Sequence, residues 1–262
     1  MACNYPITIL RKGRHELVPC GKCINCIQRK RSDWSFRLLQ EQKISVLSTF
    51  LTLTYNEKYV KPLSRNELQR YFKRIRVSQK DLKYYAVAEY GTMGLRPHYH
   101  AIVFNCNNDI LVKQWNNVEN HEPLGFVTTD QVTEASIHYV TGYVTAKYGK
   151  MDEKTGKMID TWDNKDLRPF ALMSKGLGKI YLKHGKKFHK DNFTTTTIKE
   201  GGQKQLLPRY YRDKIFTDEE KELLNEKLQK EMSKIQLTPT EEFKKREYKK
   251  QVIKTQIKRK TL

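Results

Sequence analysis

KYYAVAEY at 83–90, GTMGLR at 91–96 and PHYHAIVF at 97–104 form the stretch that decides the fold. Two runs rich in β-branched and aromatic residues flank a short glycine-bearing segment, the pattern of two strands joined by a turn. The spacing predicts an antiparallel hairpin. Side chains alternate along a strand, so His98 and His100 face one way and Tyr99 faces the other, toward a core. If the chain turns across 91–96, Glu89 lies opposite His98 and joins the histidines on one face.

Outward from the hairpin, SVLSTFLTLTY (45–55) is a further strand and GFVTTDQ (125–131) another. KCINCIQRKRSDWSFRLLQEQ (22–42) places Ile24, Ile27, Trp34 and Leu38 on one helical face. Ser64 and Glu67 have capping-box spacing before a basic amphipathic helix over 64–79. A short helix is expected near 109–118, and EASIHYVTGYVTAKY (134–148) reads as a helix despite its β-branched residues, with a strand as competitor. Residues 1–21 read as extended or looped, 151–167 as loop, 168–183 as a helix bent at Gly176 and Gly178, and 192–209 as extended. Thr217 and Glu220 cap a helix, and a last, strongly basic helix starts at Thr238 with Pro239 at its first position. The fold class is therefore α+β: a central antiparallel sheet flanked by helices, with helical N-terminal and C-terminal extensions. The expected division is 1–43, 44–190, 191–216 and 217–262.

The chain has 262 residues, with 50 Lys and Arg against 29 Asp and Glu, a net charge of +21. No run approaches the roughly 18 apolar residues of a membrane span, and MACNYPITILRKGRH carries no secretory apolar core. These features point to a cytosolic, basic, globular protein. An excess of cations suits a polyanion, nucleic acid first, with a structural ribosomal-type protein or a solvated basic surface as the plainer alternatives. The basic runs lie beside no apolar anchor, which disfavours a membrane partner. Arg29, Lys30 and Arg37 in the first helix, Lys73, Arg74 and Arg76 in the second, Arg96 before the histidine strand and the tail after 240 are candidate DNA-backbone contacts.

Two imidazoles and a carboxylate, Glu89 with His98 and His100, suit a divalent ion that keeps positions open for water and phosphate. The competing account is a polar, solvated hairpin face. Tyr139, Tyr143 and Lys147 follow at i, i+4 and i+8 on the expected helix. A tyrosine hydroxyl can attack phosphorus and form a phosphotyrosine, and a lysine can neutralise charge there. The alternative is a half-buried aromatic stripe with a snorkelling lysine. Cys20, Cys23 and Cys26, with Cys3 upstream, supply four thiolates for a structural Zn²⁺. Three evenly spaced cysteines depart from two Cys-x2-Cys pairs, which leaves a redox pair or plain thiols open. Cys106 reads as a semi-buried thiol.

FLTLTY (50–55), RPHYHAIVF (96–104) and YVTGYVTAK (139–147) stand in the order of the three motifs of HUH-type replication initiators, named for His-hydrophobic-His, with Tyr99 in the middle. MACNYP, VPCGKCINC (18–26) and MSKGLGKIYL (173–182) also resemble the initiators of the gokushovirus branch of the microviruses, small single-stranded DNA bacteriophages. The resemblance covers roughly residues 1–185. It implies an RRM- or palm-like HUH endonuclease fold, Mg²⁺ or Mn²⁺ held by His98, His100 and Glu89, nucleophiles at Tyr139 and Tyr143, and Lys147 as the motif's lysine. It further implies nicking of single-stranded viral origin DNA, a 5′-phosphotyrosine intermediate and strand rejoining during rolling-circle replication in the bacterial cytoplasm. The tail is a candidate contact for a host helicase or polymerase. Two other classes remain open on the residues themselves: a non-catalytic basic DNA-binding module and a metal-dependent hydrolytic nuclease.

Overall fold

A computed structural model describes residues 3–11, 13–91, 95–117, 119–143, 149–152, 157–160, 164, 167–198, 202, 204–233, 240 and 247. In chain order the elements are β1 (Ile7–Arg11), β2 (Arg14–Val18), α1 (Ile24–Gln42), β3 (Ser48–Thr54), a 3₁₀ turn (Glu57–Tyr59), α2 (Arg65–Ser78), β4 (Lys83–Tyr90), β5 (Pro97–Phe104), α3 (Asn108–Lys113), β6 (Val127–Gln131), α4 (Glu134–Gly142), β7 (Gly149–Met151), β8 (Met158–Asp160), β9 (Phe170–Met173), α5 (Tyr181–Asp191), β10 (Thr196–Ile198), β11 (Lys204–Leu206), α6 (Arg209–Ile215) and α7 (Asp218–Ser233). The chain divides into two compact units at Gly178/Lys179. No helix among the described residues is long and apolar enough to cross a membrane.

The first unit is built on a five-stranded antiparallel sheet of order β6-β3-β5-β4-β9. The α+β class with helices flanking a central antiparallel sheet is thus observed. β5 lies in the middle, paired on both sides, as its apolar run from Ala101 to Phe104 requires. On one sheet face, Leu51, Leu53, Ala86, Ala88, Tyr99 and Ala101 pack with Leu68, Tyr71, Phe72 and Ile75 of α2. The alanines at the sheet centre leave room for these rings. On the other face, Tyr85, Val87, Ile102 and Phe104 pack with Leu38 of α1 and Ile137 and Val140 of α4.

Tyr99 lies on the α2 face, as its alternation with the histidines predicts, and is 1% exposed. Its hydroxyl accepts from the Ser64 N–H at 2.9 Å and lies 3.1 Å from that of Tyr55, which donates to Glu67. Burial raises the pKa of both phenols, so they remain hydrogen-bonding hydroxyls. This network alters the expected cap of α2. The Ser64 side chain accepts from the Glu67 N–H at 3.2 Å, but the Glu67 carboxylate turns to Tyr55 and Lys61 instead of back to Ser64. The cap is therefore half of a capping box, with Tyr99 supplying the other half.

Three sequence expectations are corrected. Residues 170–173 are not helical: FALM forms β9, which pairs along β4. Four apolar residues fit either period, and the free edge of β4 decides in favour of a strand. Gly176 and Gly178 then adopt φ of +74° and +71°, and the helix begins only at Tyr181. Within 151–167, read as loop, β7 and β8 pair as a short hairpin. The segment expected to be extended through 209 ends in α6, which follows Pro208 and carries an i,i+4 Arg209–Asp213 pair. The expected helix from Thr238 lies outside the described residues, Thr240 and Glu247 apart.

The second unit contains α5, the β10–β11 hairpin, α6 and α7. Buried His189 donates from Nδ1 to the Thr194 carbonyl at 2.7 Å, and its Nε2 meets the Tyr181 hydroxyl at 2.8 Å. Burial lowers its pKa. Thr217 and Glu220 form the reciprocal capping pair expected at α7.

Tyr99→Phe keeps the ring and strands the Ser64 N–H. It is expected to destabilise the protein by about 1–3 kcal/mol, read as a lower urea midpoint with an unchanged slope.

Candidate active site

The register of β4 and β5 sets Glu89 opposite His98 and Val87 opposite His100. The two histidines share the face turned toward α4, as the alternation requires. The Arg96 carbonyl closes the turn by accepting from the Gly91 N–H at 2.8 Å, and it also accepts from His98 Nδ1 at 2.6 Å. That bond leaves Nε2 of a neutral His98 with its lone pair free. A methyl group at position 91 would meet His98 Cε1 at 2.9 Å, so glycine admits the ring there.

His100 is only 8% exposed. Its Nε2 lies 3.1 Å from Glu89 Oε1 and its Nδ1 lies 3.0 Å from the Thr52 hydroxyl. Thr52 stands opposite His100 on β3. Phe50, on the same face, stacks on His100 at 5.9 Å between centroids. The His98 and His100 rings are nearly parallel, with centroids 6.3 Å apart. Glu89 and His100 are thus in contact, and His98 lies beside them. Among the described residues, the four N-terminal cysteines are the one set of three or more metal-capable side chains whose donor atoms gather. His98 must turn its ring to share an ion with Glu89 and His100.

α4 brings the tyrosines to this face. Thr133 and Ser136 form a capping box at its start, and buried Ile137, Val140 and Thr141 carry the β-branched content that propensity alone disfavours. Tyr139 and Tyr143 meet edge to face at 4.9 Å. Tyr139 lies 5.4 Å from the His100 ring and Tyr143 stacks on it at 5.7 Å. Tyr139 is 47% exposed, whereas Tyr143 is half-buried. Burial, a hydrogen bond with Tyr139 and the neighbouring Glu89 carboxylate raise the Tyr143 pKa above the usual phenol value of 10. The helix is described to Tyr143, its C-terminal cap, so Lys147 and the remainder of the expected 134–148 helix lie outside the described residues.

α1 holds the end of α4. Arg31 donates from Nε and Nη2 to the His138 carbonyl at 3.1 and 2.8 Å, satisfying an acceptor in the last turn. Ser35 Oγ lies 3.1 Å from His138 Nδ1 and 3.0 Å from Thr141 Oγ1. Phe50, Thr52, Gly91, Arg31 and Ser35 were not singled out in the sequence. The alternation of FLTLTY, which sets Phe50 and Thr52 on one side, was the signal for the first two. Arg31 and Ser35 had none, because their partners lie 103 to 107 positions along the chain.

The candidate DNA-contact residues are spread over both sides of the sheet. On α1, Arg29 pairs with Asp33 at 3.0 Å, Lys30 is exposed, and Arg37 covers the Trp34 ring at 4.1 Å and donates to the Leu177 carbonyl. Lys73, Arg74 and Arg76 lie on α2, which covers the face opposite the histidines. Lys73 is exposed, Arg74 binds the Gln114 side chain and carbonyl, and Arg76 reaches Ser174. Arg96 pairs with Glu57 at 2.8 Å and donates to the Tyr55 carbonyl beside the histidine strand. Cys3, Cys20, Cys23 and Cys26 come together away from the histidines, at the start of α1.

A central antiparallel sheet with a His-hydrophobic-His middle strand and a helix-borne tyrosine pair against it is the HUH-type arrangement. Residues 48–148 match the family model of the replication-associated protein ORF2 family. The chain is 29% identical over 224 residues to Replication-associated protein ORF2 of Spiroplasma virus 4, covering 75% of this chain and 67% of that protein. It is 26% identical over 220 residues to Replication-associated protein VP4 of Bdellovibrio phage phiMH2K, covering 74% and 66%. With Replication-associated protein ORF4 of Chlamydia phage 1 it shares 25% identity over 240 residues, covering 80% and 58%. The chain thus spans about two thirds or less of the lengths of these relatives. No solved structure matches. Together with the motif resemblance, these matches identify the chain as a relative of the microvirus replication-associated proteins, of the rolling-circle initiator type.

A pH titration of phenolate absorbance checks the Tyr143 environment. The signal lost in Tyr143→Phe is expected to titrate above the ordinary range near 10. Glu89→Gln, which removes one of the raising causes, is expected to move it down. An ordinary titration in the unaltered protein would refute that environment.

Proposed function

We propose that this protein is a metal-dependent DNA-nicking and strand-joining enzyme that initiates rolling-circle replication of a microvirus-type genome. The observation that carries this reading is the assembly of Glu89, His98, His100, Tyr139 and Tyr143 on one sheet face, with the two tyrosine rings 5.4 and 5.7 Å from the His100 ring. The names of the relatives, all replication-associated proteins, support it.

The donor set fits a divalent ion such as Mg²⁺ or Mn²⁺: a carboxylate with two imidazoles, each imidazole anchored through Nδ1. The Thr52 hydroxyl suits both states of His100. It donates to Nδ1 while Nε2–H bonds Glu89, and it accepts from Nδ1–H once Nε2 serves as a ligand. An ion held there supplies Lewis-acid polarisation of a phosphodiester oxygen.

Tyr139, the more exposed phenol, attacks the phosphorus first. Its Oη–P bond forms as the P–O3′ bond breaks; the phenol loses its proton and the departing 3′ oxygen gains one. The product is a 5′-phosphotyrosine with a free 3′ hydroxyl, and the phosphoester bond energy is retained for rejoining. Tyr143, beside Tyr139 and Glu89, takes the second exchange, cutting the next junction as the first end is released. Lys147 neutralises charge on the reacting phosphate. Cationic side chains along the sheet and helices grip the DNA backbone without reading sequence. The reaction belongs to the host cytoplasm, where the phage genome replicates.

Labelled single-stranded origin DNA, incubated with the protein and Mn²⁺ and run on a denaturing gel, tests this directly. A metal-dependent covalent adduct is expected. It should vanish in Tyr139→Phe/Tyr143→Phe and in His98→Ala/His100→Ala, and Tyr143→Phe alone should keep the first adduct. Cleavage without adduct would mean a water-using nuclease; binding without cleavage would mean a DNA-binding module. A second measurement follows Mn²⁺ binding by electron paramagnetic resonance. Thr52→Val, which removes the anchor of His100 Nδ1, is expected to weaken it about 10–100-fold; unchanged affinity would exclude that role for Thr52.

A further inference from the structure

Cys3 precedes β1, Cys20 follows β2, Cys23 caps α1 and Cys26 lies in its first turn. All four are free thiols, with Cys23 buried and the others half-buried. Their sulfurs lie within 4.8 Å of one another, with Cys3–Cys23 at 3.8 Å and Cys20–Cys26 at 4.0 Å. A tetrahedral ion with metal–sulfur bonds of about 2.3 Å sets its sulfurs about 3.8 Å apart. The backbone is folded around the sulfurs as it is around thiolate ligands. The Cys20 N–H donates to Cys3 Sγ at 3.3 Å, the Tyr5 N–H to the same sulfur at 3.4 Å, and the Cys23 N–H to Cys20 Sγ at 3.3 Å. Gly21, at φ +73°, makes the tight reversal between Cys20 and Cys23.

We infer that Cys3, Cys20, Cys23 and Cys26 bind one zinc ion as a tetrathiolate, and that this centre fastens the base of the β1–β2 hairpin to the start of α1. Two features of the surroundings call for such a centre. The first is the hairpin: β1 is exposed along its whole length and β2 over most of its length. A two-stranded ribbon without a core is marginal in water, and Cys3 and Cys20 stand at its two ends, where one ion closes both. The second is the helix. Cys23 makes no side-chain cap and the first turn of α1 holds no acidic residue. Four thiolates around Zn²⁺ leave two negative charges at the helix N-terminus, where the macrodipole favours them.

The centre also reaches the segment beyond the tyrosine helix. Cys23 forms a backbone bridge with Lys157, next to β8, and Lys157 Nζ lies 4.2 Å from the centre of the Tyr5 ring. The ion therefore ties together the N-terminal segment, the hairpin, α1 and the strand pair after α4. α1 in turn carries Arg31 and Ser35, which hold the end of the tyrosine helix. The zinc is a positioning element, remote from the reacting atoms.

Metal content is the test, and it reads this site whether or not the tyrosines cut DNA. The full chain, purified with reductant and Zn²⁺ and then dialysed, is expected to retain about one zinc per chain. Reconstitution with Co²⁺ should give the thiolate charge-transfer and tetrahedral ligand-field bands. Cys23→Ser and Cys26→Ser should lose the metal, whereas Cys106→Ser and His98→Ala/His100→Ala should retain it. Cys20→His offers a replacement ligand, so it should keep the zinc with a shifted Co²⁺ spectrum, which guards against loss by misfolding alone. Chelation should speed proteolysis in the β1–β2 hairpin before the central sheet is cut. A full chain with four reduced thiols and neither zinc nor Co²⁺ bands would overturn the inference. So would zinc that follows the histidines instead of the cysteines.

Discussion

The pairing of β4 with β5 is the constraint on which the rest of the structure depends. Because side chains alternate, a slip of one residue would send His98 and His100 into the aromatic layer under α2 and put Tyr99 among the polar groups of the other face. The Arg96 carbonyl holds the register from the turn by accepting from both Gly91 and His98. The buried hydroxyl of Tyr99 holds it from beneath, since only this register brings it to the Ser64 N–H. One strand thus carries two incompatible demands, a polar face and an apolar face, and its period of two meets both.

The two faces differ in what they contribute. The α2 side is a dry aromatic layer in which Tyr55, Tyr71, Phe72, Tyr99 and Trp115 are nearly or fully buried, and it gives the sheet its rigidity. The α4 side is apolar at one end, through Ile102, Phe104 and Ile137, and polar at the other, through Glu89, His98, His100 and Thr52. Groups on strands and helices are positioned more exactly than groups on loops, and here the histidines sit on the central strand while the tyrosines sit on a helix pinned by α1. Tyr139 and Tyr143 also differ in exposure although they are one turn apart, so the same residue type meets two environments on one face.

Much of this was legible in the chain. The strands over 45–55, 83–90 and 97–104 were readable because each combines β-branched or aromatic content with a period that survives at short range. The opposition of Glu89 and His98 followed from the turn between them. The α1 and α2 helices were visible in their apolar stripes, and Thr217 and Glu220 marked α7. What failed was short or edge-dependent. FALM at 170–173 has too few residues to distinguish the periods, and it became a strand because β4 had an open edge. The cap at Ser64 matched its signature only in part, since Tyr99 took the bond that the signature assigns to Glu67.

The sequence by itself determined the residue types, their order and their local periodicity. From these came the α+β class, the shared face of His98 and His100, the i,i+4 pairing of the tyrosines and the four cysteines near the start. Tertiary structure alone decided which sheet face the tyrosine helix would cover, that Thr52 would meet His100 Nδ1 and that Arg31 would bind the end of α4. It also decided that Cys3 would join Cys20, Cys23 and Cys26. The physical reason is range: periodicity and capping act over a few residues and are written in the local sequence. Contacts between distant segments depend on how a whole core packs, and nothing local encodes the partner.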